Sequence, residues 1–325
     1  MCFLQSWAVH RHSQWKFTIE NINPKLCTHI VYAFAILDET SMTLKTTDPD
    51  YVDNDKAYER LMKLKQENPK LIITIGIGGW SDGSVKYSDM VASLKNRLSF
   101  ISSIKNYVST HNFDGVDFQW IDPTTRNGRP EDRQNFVAFI KELRKSFGPN
   151  WHIGVSINPR KAELEAGYDL PKLAREVNFF HILSYNFHGH WDGFTGHTSP
   201  LYPRLSEIGK QRELNVNFTL NYILSAGVHP SKLVLGIPFF GGAHLLRTVS
   251  DNSVGSPTVD GLKGVYIGEF GQMSYHETCK AITERNSRWK VFYSEDQRAN
   301  YMINGNRWVS FENSISVTEK VSHKE

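Results

Sequence analysis

Short apolar stretches alternate with longer amphipathic ones over most of the chain. The short stretches are rich in β-branched and aromatic residues, which favour strands, and we assign seven of them, at 3–8, 29–37, 71–77, 115–120, 152–157, 179–185 and 233–239. The longer stretches carry apolar residues at helical spacing, most clearly at 57–66, 90–110, 131–147 and 217–226. This alternation predicts an α/β fold built on a parallel sheet. A (β/α)8 barrel that is one strand short and a doubly wound sheet are both open at this point.

The alternation stops after residue 239. Turn-rich sequence at 251–257 is followed by a helical pattern near 273–284 and by strand patterns near 290–294 and 307–311. We therefore predict an α+β insertion after the seventh strand. Residues 314–325 have the pattern of one more helix.

Composition and charge exclude several classes of protein. The 325 residues include 40% hydrophobic and 12% aromatic residues, which is enough to form a packed core. The 37 Lys and Arg residues are nearly balanced by 34 Asp and Glu residues, and no basic block is present, so we expect no nucleic-acid or membrane partner. No apolar run reaches the roughly 18 residues of a membrane-spanning helix. The 13 histidines do not cluster with acids or cysteines at metal-ligand spacing, so we expect no metal and no cofactor.

The fourth predicted strand carries polar residues where a buried strand should be apolar. Side chains alternate between the two faces of a strand, so Asp117, Gln119 and Ile121 share one face. A helix-covered parallel sheet is apolar on both faces, so an acid and an amide need an explanation. They are either a hydrogen-bonded pair inside a barrel or part of a site at its carboxyl-terminal rim, where barrel enzymes keep catalytic residues.

Residues 114–123 resemble the signature of glycoside hydrolase family 18, the chitinases, which reads D-G-x-D-x-D-x-E followed by an aromatic residue and often Pro. Asp114, Gly115 and Asp117 match, and Pro123 fixes the register. In this register the central Asp of the family falls on Gln119.

The two positions that follow depart further from the family. The catalytic Glu falls on Ile121, and Asp122 stands at the aromatic position. A shift of one position along a strand turns a side chain to the other face, so we expect that Asp122 does not replace the missing acid.

Motifs along the rest of the chain support the resemblance. Residues 2–7 and 26–35 are similar to the first two strands of the family, and the third strand ends in Gly78-Gly79-Trp80. Residues 183–189 resemble M-x-Y-D-x-H-G with Asn186 in place of Asp, and residues 236–241 resemble G-x-P-x-Y-G with Phe240 in place of Tyr. The resemblance implies a (β/α)8 TIM barrel over 1–241, an insertion domain over 242–312, and a truncated following helix at 313–325. Nothing after residue 311 matches the eighth strand of the barrel.

The resemblance also implies how the three cysteines are used. Cys2 is expected to pair with Cys27, while Cys279 matches a position whose partner lies beyond residue 325. A disulfide implies an oxidising compartment. We therefore expect an extracellular protein whose secretion signal is not present in this chain.

Catalysis in the family is substrate-assisted: one Glu protonates the glycosidic oxygen while the N-acetyl group of the substrate attacks the sugar carbon. Ile121 has no proton to donate, and Gln119 and Asn186 replace two supporting acids. Asp114, Asp117 and Tyr185 are retained, and the first two would be what is left of the carboxylate system. We therefore expect no functional catalytic set, since general acid catalysis contributes about a hundredfold to ten-thousandfold to the rate.

The part of the family site that holds sugar is better kept. Flat aromatic rings stack on sugar faces, while Gln119 and Asn186 keep hydrogen-bonding capacity without charge; plain barrel packing is the other explanation for Phe34 and Trp80. The predicted binding residues are Trp7, Phe34, Gly79, Trp80, Asp117, Gln119, Asp122, Tyr185, Asn186 and Phe240. We expect a monomeric chitinase-like lectin, a pseudoenzyme that binds chitin or N-acetylglucosamine oligosaccharides without efficient hydrolysis.

Three alternatives remain open. An active chitinase, cleaving β-1,4 N-acetylglucosamine linkages, would have to recruit Asp122 or Asp192 as its acid. A growth-factor-like signalling member of the family would bind sugar only incidentally. An incomplete gene product would have no function of its own.

Overall fold

The computed structural model describes residues 1–323. The chain divides into two compact units, which we describe separately. The barrel unit comprises residues 1–158, 162–182 and 224–234, and the second unit comprises residues 159–161, 183–223 and those from 235 onward.

A parallel sheet forms the centre of the barrel unit. Its strands follow one another in chain order from β1 to β8, and β3 pairs antiparallel with β2 beside this path. A doubly wound sheet reverses its strand order, whereas a barrel does not. The order therefore confirms the α/β fold and favours a barrel, and the described residues supply seven strands of it. The strands are β1 (Cys2–Gln5), β2 (His29–Asp38), β3 (Thr43–Thr46), β4 (Ile72–Gly78), β5 (Gly115–Gln119), β6 (His152–Ile157), β7 (Phe179–Ile182) and β8 (Leu233–Leu235).

Several strands end earlier than the sequence predicts. The first strand stops at Gln5 because residues 6–10 turn into a 3-10 helix. The last strand stops at Leu235, three residues before Pro238, which has no N–H for a sheet hydrogen bond. The carboxyl-terminal rim is consequently made of loops rather than of strand ends.

Helices follow most of the strands, as predicted. The pattern at 90–110 differs from the prediction, because it forms parts of two helices and not one. Ser93, between them, adopts an extended conformation and caps the second helix by accepting a hydrogen bond from the Asn96 N–H at 3.4 Å. The helices are α1 (Ala57–Glu67), α2 (Val85–Ala92), α3 (Leu94–Thr110), α4 (Asp132–Phe147), α5 (Lys161–Gly167), α6 (Leu170–Leu173), α7 (Val216–Ser225), α8 (Tyr275–Thr283) and α9 (Ser314–Ser322).

The second unit contains an antiparallel sheet, which confirms the predicted insertion after the seventh strand. Its strand order is β10-β9-β14-β13-β12, with β11 paired to β9. Its strands contribute two buried hydrophobic clusters, one of Ala243, Met302, Val309 and Phe311 and the other of Leu246, Ile303 and Trp308. The bounds 1–241, 242–312 and 313–325 stay predictions. The strands are β9 (Phe240–Leu246), β10 (Thr258–Gly261), β11 (Gln272–Ser274), β12 (Lys290–Ser294), β13 (Ala299–Asn304) and β14 (Arg307–Phe311).

The disulfide follows the expectation drawn from the resemblance, and the expected partner of Cys279 beyond residue 325 stays a prediction. Cys2 and Cys27 form a disulfide with their Cα atoms 6.0 Å apart. Cys279 is a free thiol among the described residues. Within residues 1–323, no helix is both long enough and apolar enough to cross a membrane.

Candidate functional site

Asp117 lies in the middle of β5 and is almost completely buried. Glycines stand beside it on both neighbouring strands, Gly76 on β4 and Gly154 on β6. The Thr74 hydroxyl donates to one carboxylate oxygen at 2.5 Å, and His181 Nε2 contacts the other. Asp117, which looked anomalous in the sequence, thus has buried hydrogen-bonding partners. The sequence did not indicate that Thr74 and His181 would be these partners.

The two faces of β5 are separated as the alternation predicts. Phe118 and Trp120 point toward α4, where their rings lie 5.2 Å from Phe139 and 5.4 Å from Phe136. The Trp120 indole N–H donates to the Ser84 hydroxyl at 3.0 Å. These contacts anchor the strand to its helix layer and leave Asp117 and Gln119 on the inner face.

Gln119 ends the strand, and its carbonyl accepts the Gly79 N–H at 3.0 Å. Within residues 1–323 its side-chain amide has no hydrogen-bond partner, although the residue is buried. Ile121, at the acid position of the resemblance, is 9% exposed. This side of the rim thus presents an amide and an aliphatic side chain where the family pattern has carboxyl groups.

The structure corrects the reason given for setting Asp122 aside. The strand has already ended at Gln119, so alternation does not apply, and Asp122 has a left-handed backbone with φ of 58°. Its carboxylate accepts the Asn158 amide at 2.8 Å, and its N–H donates to the Tyr168 hydroxyl at 3.2 Å. Burial, together with the nearby Asp122 charge, raises the pKa of Tyr168, so this phenol stays protonated.

The pairing of Asp114 with Asp117 in one carboxylate system is wrong. Asp114 precedes β5 and so lies at its amino-terminal end, about 10 Å along the strand from Asp117. Its carboxylate forms an ion pair with Lys65 at 2.6 Å and accepts the Ile73 N–H at 2.7 Å. Asp114 therefore ties α1 to the sheet, away from the rim.

Trp7, in the turn of helix that follows β1, and Phe34, within β2, form a stacked aromatic pair. Their ring centroids are 6.0 Å apart with an interplanar angle of 28°. Phe34 rests on glycine: a Cβ at Gly79 would come within 2.8 Å of the ring, and one at Gly76 within 2.9 Å. Phe34 thus has the packing role that the sequence left open, whereas Trp7 is 45% exposed and offers its ring to solvent.

Trp80 is 64% exposed, so its indole is not part of the barrel packing. The guanidinium of Arg126 lies 4.0 Å from the ring centroid, and the same side chain donates a hydrogen bond to the Trp80 carbonyl. A cation over an indole face contributes about 0.5–1 kcal/mol at an exposed site. Arg126 was not identified from the sequence, because no motif connects it with a residue 46 positions earlier.

Tyr185, Asn186 and Phe240 belong to the second unit. Tyr185 packs edge-on against Phe240 at 5.5 Å, and burial raises the pKa of its phenol to about 12, so the hydroxyl is a neutral donor at pH 7. Asn186 has φ of 58°, a conformation that Asn tolerates. Its N–H donates to the Thr198 hydroxyl at 3.2 Å, and its carbonyl accepts from Arg160 at 2.9 Å.

Asp192, the other candidate for a relocated acid, already has hydrogen-bonding partners within the protein. One of its carboxylate oxygens contacts His188 Nδ1 at 3.1 Å and accepts the Gly189 N–H at 3.1 Å. The residues that the structure describes include no group of three His, Cys, Asp or Glu side chains that could hold a metal ion.

Comparison with known proteins agrees with these motifs. The model of a family described as "Glycosyl hydrolases family 18" matches residues 1–325. "Probable chitinase 2" of Drosophila melanogaster is 36% identical over 295 residues, which cover 89% of this chain and 60% of that protein. The chain thus spans less than two thirds of that relative.

Two solved structures are similar over 99% of the chain. The "Group IV chitinase" of Ostrinia furnacalis has a TM-score of 0.95 at 35% identity, with 88% of its own chain covered. Human YKL-39, described as "a pseudo-chitinase with retained chitooligosaccharide binding properties", has a TM-score of 0.89 at 30% identity, with 87% covered. The likeness confirms the TIM-barrel fold with an insertion. Residues 1–323 supply seven strands of this barrel and lack the eighth.

Proposed function

Because the chain belongs to glycosyl hydrolase family 18, we propose that it is a chitinase-like lectin, which binds chitin or N-acetylglucosamine oligosaccharides without hydrolysing them efficiently. The observation that carries the proposal is Ile121, a buried aliphatic residue at the position of the catalytic acid. An aliphatic side chain has no proton to give to a leaving oxygen.

The nearby carboxylates do not replace the acid. Asp117 is held by Thr74 and His181, and Asp122 by Asn158, so each carboxylate already accepts hydrogen bonds. General acid catalysis requires the acid to reach the oxygen that it protonates. The geometry therefore supports a pseudoenzyme rather than an enzyme with a relocated acid.

Binding is supported by groups that remain suited to sugar. The exposed rings of Trp7 and Trp80 offer flat apolar faces, and the Gln119 amide offers both a donor and an acceptor. The human relative described as a pseudo-chitinase that retains oligosaccharide binding is a precedent for separating binding from cleavage. The Cys2–Cys27 disulfide supports an extracellular location, because disulfides persist in oxidising compartments.

Two assays on the same preparation test the proposal. We expect the chain to be retained on insoluble chitin and to release no sugar from N-acetylated chito-oligosaccharides. Trp80→Ala should weaken retention about tenfold, which corresponds to about 1.4 kcal/mol. Trp151→Ala is the matched control, since Trp151 precedes β6 at the amino-terminal end of the sheet and should leave retention unchanged. Sugar release by the unmodified chain, or absence of retention, would contradict the proposal.

A gain-of-function variant tests the assignment of the lost positions. Ile121→Glu combined with Gln119→Asp and Asn186→Asp restores the carboxyl groups of the family pattern. We expect detectable hydrolysis from the triple variant and none from Gln119→Asp with Asn186→Asp alone, because only the triple variant has a carboxyl group at position 121, that of the catalytic acid. A triple variant that folds and binds chitin but cleaves nothing would show that more than these three positions has been lost.

A further inference from the structure

Residues 217–219 read Asn-Phe-Thr, which is the acceptor pattern N-x-[ST] of N-linked glycosylation. It is the only match to this pattern in the 325-residue sequence. The pattern alone marks a candidate, because a glycan also needs an asparagine whose amide nitrogen faces solvent in the folded protein. The surroundings of the Asn217 side chain therefore test the candidate.

Asn217 is the second residue of α7 and lies on the solvent-facing side of this helix. Val216, Thr219 and Ile223 are the buried residues of α7 in the second unit. Residues four positions apart share a face of a helix, and Asn221, one turn after Asn217, is exposed. The face of α7 that carries Asn217 is thus open to solvent.

The oxygen and the nitrogen of the Asn217 amide have different surroundings. The protein holds Oδ1, which accepts the Asn221 amide at 3.0 Å and contacts His323 Nε2 at 2.9 Å. Among residues 1–323, Nδ2 has no hydrogen-bond partner, and it retains access to solvent. N-linked glycosylation joins the sugar to Nδ2 and leaves the amide oxygen in place. A glycan therefore preserves both contacts of Oδ1.

Thr219, the third residue of the pattern, is 1% exposed. Its hydroxyl donates to the Pro159 carbonyl at 2.6 Å. A glycosyltransferase that recognises this hydroxyl consequently has no access to it in the folded chain. The sugar is therefore attached before this segment folds, and the solvent-facing side of α7 then accommodates it.

We propose that Asn217 is an N-glycosylation site. The donor is an oligosaccharide linked to a lipid pyrophosphate. A bond forms between Asn217 Nδ2 and the first sugar carbon, the bond from that carbon to the pyrophosphate oxygen breaks and its electron pair leaves with the lipid pyrophosphate, and Nδ2 gives one proton to a base of the transferase. The inference rests on the extracellular location proposed above, because secreted proteins meet this donor on their way out of the cell, and it does not depend on chitin binding.

Secretion of the full chain from cultured mammalian cells, with a signal peptide added, tests the inference. Peptide-N-glycosidase F removes an N-glycan and converts its asparagine to aspartate, so treatment should increase the electrophoretic mobility of the unmodified chain by the equivalent of one glycan. Mass spectrometry should then locate aspartate at position 217 in the tryptic peptide 213–232. Asn217→Gln, which keeps an amide but is not an acceptor, should show no mobility shift.

Two control variants complete the experiment. Asn221→Gln lies on the same face of α7 outside the pattern, and Thr219→Ser keeps both the pattern and the buried hydroxyl, so both should carry the glycan. A secreted chain that has its Cys2–Cys27 disulfide but no glycan, or a glycan that persists in Asn217→Gln, overturns the inference and leaves the proposed location intact. A chain that forms neither the disulfide nor the glycan overturns the proposed location, and the inference fails with it.

Discussion

At the scale of single residues, the buried carboxylate of Asp117 depends on the hydrogen-bonding groups of its neighbours and equally on the absence of a side chain at a neighbouring glycine. A buried charge is costly unless it is hydrogen-bonded, and Thr74 and His181 supply that contact. The room for it comes from glycine, because a Cβ at Gly154 would lie 1.8 Å from the Asp117 carboxylate oxygen and 2.7 Å from His181 Nε2. Gly154 is thus part of the polar site, although it has no side chain.

We expect Gly154→Ala to destabilise the protein by about 2 kcal/mol, because a methyl group cannot enter this space without displacing Asp117 or the strand. Urea denaturation measures the change. Ser156→Ala on the same strand is the control and should cost less than about 0.5 kcal/mol, since the buried Ser156 hydroxyl has no hydrogen-bond partner among the described residues. Equal stabilities of the two variants would contradict this account of Gly154.

The sequence could predict which residues stand at the key positions of the rim, but it could not predict which residues they contact. Register alone locates Ile121 at the acid position and Gln119 at that of the central Asp. The contacts of Asp117 with His181 and of Trp80 with Arg126 span 64 and 46 residues, and no local pattern indicates them. Asp114 was assigned incorrectly for a different reason. Its motif match suggested that it belongs with Asp117 in the carboxylate system, but its carboxylate pairs with Lys65.

At the scale of secondary structure elements, strand and helix centres were predictable and their ends were not. The run 152–157 forms a strand over its full length, whereas 179–185 ends at Ile182. Apolar residues continue past such strand ends into the rim loops, so a hydrophobic pattern alone overextends the strand. Of the missed strands, β3 pairs with β2, and β9, β10, β11 and β13 lie in the antiparallel sheet, where glycine or polar residues within the strands give a weak pattern.

The disulfide is an element-scale feature, because it ties the four-residue strand β1 to the segment before β2. It closes a loop with a sequence separation of 25 residues, for which chain entropy predicts about 3.5 kcal/mol of stabilisation. We expect Cys2→Ser with Cys27→Ser to lower the free energy of unfolding by about that amount, measured by denaturant titration. Cys279→Ser is the control, since Cys279 is a free thiol. Loss of less than about 0.5 kcal/mol in the double variant would contradict the prediction.

At the scale of the whole molecule, buried histidines in the second unit make stability depend on pH. His197 and His244 both pack against Trp308, with ring centroids 5.8 Å and 5.5 Å away, and both are almost fully buried. Burial lowers the pKa of His197 to about 3 and that of His244 to about 4. The folded protein therefore keeps both imidazoles neutral well below the ordinary histidine pKa of about 6.5.

The sign of the effect follows from which state binds protons. Below about pH 6.5 the unfolded chain protonates His197 and His244 while the folded chain does not, so acid favours unfolding. Each group then removes about 1.4 kcal/mol per pH unit until the pH reaches its folded pKa. We expect the free energy of unfolding to fall between about pH 6.5 and pH 4, and to be insensitive to these two groups above pH 7.

His244→Phe isolates one of the two groups. Neither ring nitrogen of His244 has a hydrogen-bond partner among residues 1–323, so an aromatic ring without polar atoms should keep the packing on Trp308 and remove an unsatisfied polar group. We expect equal or greater stability at pH 7.5 and a shallower loss of stability from pH 6.5 to 4, measured by urea titrations at several pH values. His12→Phe, at an exposed position of the barrel unit, should leave the slope unchanged. An unchanged slope in His244→Phe would show that His244 protonates without unfolding, and the acid sensitivity would then belong to other groups.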